Sequence, residues 1–133
     1  MKYSIVVSEF NAMITEPMLE ACLRGFKEQG VEAEVFKVPG AAEIPLVVQE
    51  LIVRQKPAAV VALGAIIKGE TEHYKAVCEW VTQSLASIAL KEATPVVFEV
   101  LMTDTYQKAE ARIEKGYHAA FVATRMAHLL SEL

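Results

Sequence analysis

The stretch Gly64–His73, read GAIIKGETEH, holds the residue types best suited to chemistry. It leaves an apolar run and enters a helical pattern, so the amides of Gly69, Glu70 and Thr71 are placed to meet an anion at a helix N-terminus. Gly69 permits close backbone approach, Thr71 adds a hydroxyl, and His73 is suited to proton transfer near neutral pH. From local pattern alone an ordinary loop is the commoner arrangement, with Thr71 as a helix cap and His73 on the surface. A P-loop is excluded, because GxxxxGK[ST] is absent.

A second stretch, Val38–Pro45 (VPGAAEIP), has two prolines and a glycine around a strand end, which leaves Glu43 at the mouth of a sheet. A glutamate there is commonly a dipole-favoured cap; its functional reading is an acceptor for the hydroxyls of a polyol. Phe10-Asn11 follows the first apolar run and offers a flat stacking face and an amide. His73, His118 and His128 lack metal-ligand spacing, no nucleophile elbow is present, and no metal site is expected.

The elements that must position these residues alternate. Tyr3–Ser8 reads as a buried strand. A helix is expected over Glu16–Gln29, with Thr15 as N-cap and Gly30 as stop. Glu32–Val38 reads as a second strand, and a helix follows from Glu43 to Arg54 with Pro45 in its first turn. Ala58–Leu63 is a third, fully buried strand, and Gly64–Glu72 reads as a loop. A long amphipathic helix from His73 to Lys91 carries Val77, Trp80, Val81, Leu85 and Ile88 as its apolar stripe. Pro95–Leu101 is the fourth strand. Thr103-Asp104-Thr105 opens a last helical region, expected to break at Gly116 and resume to the end. This alternation predicts an α/β fold, a three-layer αβα sandwich on a four-stranded parallel sheet with flavodoxin-like topology. Ligands in such sheets bind at the carboxyl ends of the strands, where the chemical stretches fall.

Composition sets the outer bounds. The chain has 133 residues, is 53% hydrophobic and carries a net charge of −4, which suits one folded domain and argues against a nucleic-acid partner. Its two cysteines form no CxxC or Cys/His cluster, which fits a reducing cytoplasm. No apolar run reaches the roughly 20 residues of a membrane span, and Glu9 interrupts the first run too early for a signal peptide, so no membrane partner is expected.

Taken together, these stretches resemble the 6,7-dimethyl-8-ribityllumazine synthase family of riboflavin biosynthesis. The matching residues are Phe10-Asn11, Val38-Pro39-Gly40, Glu43-Ile44-Pro45, Gly64, Ile67, Gly69, Thr71, His73, Pro95, Phe98, Thr103-Asp104-Thr105 and Lys115-Gly116. The resemblance implies condensation of 5-amino-6-(D-ribitylamino)uracil with 3,4-dihydroxy-2-butanone 4-phosphate, releasing phosphate and water, without metal or organic cofactor. It implies that Phe10 stacks on the pyrimidine, with Asn11 beside it. Ala41, Ala42 and Glu43 line the ribityl site, while Ala65, Ile66 and Ile67 meet pyrimidine and ribityl group. Glu70 and Thr71 present amides to the phosphate, and His73 moves the proton. Phe98 and Arg112 come from a neighbouring subunit, Arg112 on the phosphate, with Lys115 near the pyrimidine. The partners so implied are two small-molecule substrates and further copies of the chain, in a pentamer or a multiple of it with the active site at the subunit interface. Riboflavin synthase is a candidate protein partner. Ala42, Glu99, Lys68 and Lys75-Ala76 depart from the family's usual residues. Ala42 and Glu99 favour a competing reading, a non-catalytic flavin- or lumazine-binding shell protein of the same fold. A riboflavin-synthase-like paralogue is a third.

Overall fold

The computed structural model describes residues 1–70 and 72–133. Strands β1 (Tyr3–Ser8), β2 (Ala33–Val38), β3 (Ala59–Ile67) and β4 (Val96–Thr103) form one sheet in the order β2-β1-β3-β4. Every pairing is parallel. The helices are α1 (Ala12–Glu28), α2 (Ile44–Gln55), α3 (Tyr74–Glu92), the short α4 (Tyr106–Glu110) and α5 (Lys115–Ser131), with a 3₁₀ turn at Ala41–Glu43. Parallel neighbours need long crossovers, and helices supply them on both faces.

Side chains alternate across each strand, so one sequence fills two cores. Tyr3, Ile5, Val7, Val61, Leu63 and Leu101 pack against Met18, Cys22 and Phe26 of α1 and the alanines of α5. Val6, Val60, Ala62, Ile66 and Val100 face the other way, onto Ile44, Val48 and Leu51 of α2 and Val81, Leu85 and Ile88 of α3. The result is the expected three-layer arrangement. β3 is buried along its whole length, as a central strand covered on both faces must be.

Three expected boundaries move. α1 begins at Ala12, one turn before Glu16, because Asn11 turns the chain in a left-handed conformation (φ 62°) directly after β1. Thr15 is therefore a buried helical residue, its amide bonded to the Asn11 carbonyl at 3.0 Å, and Pro17 lies inside the helix. The β3 strand runs past Gly64 to Ile67, because β4 also extends and pairs with it as far as Thr103. Gly64 stays glycine for a packing reason: a Cβ there would lie 3.0 Å from Ser8 Oγ and 3.3 Å from Ile44 Cδ1.

The third shift is in the last helical region, where the break falls between α4 and α5 and Gly116 is inside α5. A Cβ on Gly116 would collide with the backbone carbonyl of Met18, and one on Gly25 would lie 2.7 Å from the Tyr117 carbonyl. These two glycines let α1 and α5 touch backbone to backbone. None of the helices among the described residues is long and apolar enough to cross a membrane.

Candidate functional site

The strand order places β1 between β2 and β3, so the chain leaves β1 toward one side of the sheet and later returns on the other. Such a switch point opens a crevice at the carboxyl ends of the strands. A cavity of about 180 Å³ lies there. Phe10 and Asn11 line it from the end of β1, Gly40, Ala41 and Ala42 from the turn after β2, Ala65, Ile66 and Ile67 from the end of β3, with Glu70 and Val77 beyond.

Backbone bonds set these positions. The Glu9 amide donates to the Val38 carbonyl (2.7 Å) and the Phe10 amide to the Pro39 carbonyl (3.0 Å), which ties the end of β1 to the end of β2. Phe10 is left 59% exposed, so its ring is available at the cavity rather than spent in the core. Asn11 does not cap α1 with its side chain. Its Nδ2 instead donates to the Ala65 carbonyl (2.9 Å) and to Glu70 Oε1 (3.0 Å). That amide links the first and third strand ends across the crevice, and it draws the Glu70 carboxylate to the cavity rim. The Glu70 amide donates to the Ile67 carbonyl at 3.4 Å and closes a turn, while Gly69 holds φ 96°, a conformation that favours glycine.

Glu43 is exposed, and its Oε1 accepts from the Gly40 amide at 2.9 Å. The cap and the polyol acceptor are compatible, since a carboxylate has two oxygens. His73 stands at the N-cap of α3, where its carbonyl accepts from the Val77 amide at 2.9 Å. The amides of the first helical turn therefore belong to residues 74–76, later in the chain than the expected anion site. Thr71 lies outside the described residues.

Neither Glu43 nor His73 lines this cavity, and the remaining expected residues are not brought to it either. Phe98 is partly exposed on β4, an edge strand, and pairs with Ala62, below the cavity-lining end of β3. Arg112 is exposed in the turn between α4 and α5, and Lys115 opens α5. Neither lines the cavity. Glu99 faces α5, on the same side of β4 as Val97 and Leu101. Burial pushes its carboxyl above the ordinary value, and the charges of Lys115 and His118 act against that rise. Thr105 Oγ1 accepts from the Lys108 amide and caps α4, so part of the Thr103-Asp104-Thr105 motif is structural.

Two residues of the cavity wall, Gly40 and Val77, were not singled out from sequence as site residues. Val77 had a signal: it follows His73 by four positions and so shares its helix face. No group of three or more His, Cys, Asp or Glu residues that could hold a metal occurs among the described residues.

The fold and cavity define a parallel α/β protein with a small crevice at its topological switch point, walled by three strand ends. The sequence matches the 6,7-dimethyl-8-ribityllumazine synthase family over residues 1–131, and the chain belongs to that family. Among solved structures, a de novo designed Rossmann-fold protein is similar over 86% of this chain and 96% of its own, at 16% identity and a TM-score of 0.47.

Proposed function

We propose that the chain condenses 5-amino-6-(D-ribitylamino)uracil with 3,4-dihydroxy-2-butanone 4-phosphate to give 6,7-dimethyl-8-ribityllumazine, phosphate and water. The observation that carries this reading, beside the family, is the composition of the crevice. It has an exposed aromatic ring at Phe10 and small, backbone-rich walls at Ala41, Ala42 and Ala65, with the Glu43 carboxylate at the turn that forms one wall. A flat ring, hydrogen-bonding backbone and a carboxylate suit a pyrimidine that carries a polyol.

In the proposed reaction the uracil's free amine attacks the ketone and water leaves as the imine forms. The hydroxyl-bearing carbon beside the imine then loses its proton, the terminal C–O bond breaks with its electron pair departing with phosphate, and the resulting enol tautomerises to a ketone. The second amine closes the ring on this new ketone, with loss of a second water. Amines and ketones react unaided, so the protein would act mainly by holding the two partners together. His73 would move protons, a contribution on the order of 10²–10⁴. Arg112 would pair with the phosphate in a bidentate manner.

The cavity volume also supports a shared site. About 180 Å³ is below the roughly 300–1,000 Å³ of pockets that enclose drug-sized ligands. We infer that a second subunit completes it with Phe98, Arg112 and Lys115, in a pentamer or a multiple of one. The direct test is to incubate the purified protein with both substrates and follow lumazine absorbance. Product formation at a rate above the uncatalysed reaction is expected. A rate equal to that of buffer would leave the binding-only reading in its place.

A further inference from the structure

We propose that Trp80 is a positioning residue of the crevice, holding the wall formed by Ala41 and Ala42 through its indole N–H. This rests on the proposed function for the identity of the ligand. Trp80 Nε1 donates to the Ala42 carbonyl at 3.0 Å, a bond from the second turn of α3 to the 3₁₀ turn after β2. The indole is 59% exposed, so burial in the core does not account for where it lies.

The wall itself explains why an outside tether matters. Ala41 packs into the second core, but the half-buried Ala42 has no side chain long enough to anchor its end of the turn, and both line the cavity. Within the turn, Glu43 Oε1 accepts from the Gly40 amide. From another element, α3, the indole supplies a second bond. Trp80 follows Val77 by three residues and so lies on nearly the same helix face, and Val77 lines the same cavity. The helix thus contacts the crevice directly through Val77 and holds another part of its wall through Trp80. Loss of the N–H frees the Ala42 carbonyl and lets the turn drift from the end of β3, which widens the ribityl end. A ligand that reaches this wall loses affinity, while one held elsewhere does not.

The test compares Trp80→Phe, which keeps an aromatic ring and removes the donor, with Trp80→His, which restores a ring N–H. Binding of 5-amino-6-(D-ribitylamino)uracil alone is measured by calorimetry, and KM is measured for each substrate. A donor bond of ordinary strength predicts a rise of about two- to ten-fold in the uracil Kd and KM for Trp80→Phe. The KM for the butanone phosphate should stay unchanged within error, and Trp80→His should recover part of the loss. Because Trp80 is the sole tryptophan, its indole N–H resonance should also shift on adding the uracil. Uracil affinity of Trp80→Phe equal to wild type would overturn the proposal, as would equal rises in both KM values. Wild-type protein that binds the uracil without forming lumazine would remove the proposed reaction, and the affinities of the two variants would still decide the role of Trp80. Failure of the wild type to bind the uracil would overturn both.

Discussion

His73 and Arg112 carry separable tasks in this account. If approximation supplies most of the rate, His73→Ala lowers kcat by on the order of 10²–10⁴ but leaves turnover measurable above the uncatalysed reaction. Complete loss of turnover with unchanged substrate affinity would contradict that division. Arg112→Ala should raise the KM for the butanone phosphate far more than that for the uracil, and equal rises would remove Arg112 from the phosphate. Glu99 gives a prediction about pH. Its carboxyl is raised above 4.5 by burial, so the folded state holds this proton more tightly than the unfolded state. Its contribution is fully present below the unfolded value and is lost as pH rises through the folded one. Glu99→Gln should therefore flatten the fall in stability as pH rises above the ordinary glutamate value, seen in thermal melts across a pH series; a parallel pH profile for wild type and variant would show that Glu99 does not contribute. The position of Phe10 and Asn11 at a strand end was legible because they follow a clear apolar run, and both line the cavity. The double tie of Asn11 to Ala65 and Glu70 was not, since it joins residues more than fifty positions apart.

Among the elements, the pairing of α1 with α5 depends most on residue size. Gly116 costs helix propensity of about 1 kcal/mol relative to alanine, and it is there because the Met18 backbone occupies the space of its side chain. Gly116→Ala should destabilise the fold by about 1–3 kcal/mol, as overpacking does, despite the better helix former. Urea unfolding measures this; a variant as stable as wild type would show that the helices can separate at little cost. Strand identities were legible from runs such as YSIVVS and AAVVAL, whereas the far end of β3 was not. GAII carries a glycine that reads as a loop, and only pairing with β4 keeps it extended. Trp80 was legible as part of an apolar stripe, yet the buried face of α3 is Val81, Leu85 and Ile88. Periodicity places a residue on a face and does not say where that face ends.

For the whole molecule, the apolar residues left exposed matter most. Trp80, Leu90, Phe98, Val122 and Leu130 all reach the surface of the single chain. Single exposed apolar residues are ordinary, but this number on a small chain supports burial against further copies. A ring of identical subunits repeats one heterologous interface until it closes and gives one composite site per subunit. Activity should then fall on dilution wherever the ring dissociates, and sedimentation at matched concentrations would show whether the two changes coincide. Local pattern does not speak to assembly, which depends on which surfaces remain uncovered after the two cores form.

The central claim, that the chain catalyses the condensation in a site shared between subunits, is tested most directly by complementation. His73→Ala and Arg112→Ala chains are unfolded, mixed in equal amounts and refolded together, and lumazine formation is followed at low butanone phosphate. With random mixing, about a quarter of the interfaces pair an intact His73 with an intact Arg112. The mixture should therefore recover about a quarter of wild-type activity, well above either variant refolded alone. Activity no higher than the average of the two separate variants would show that no site is shared.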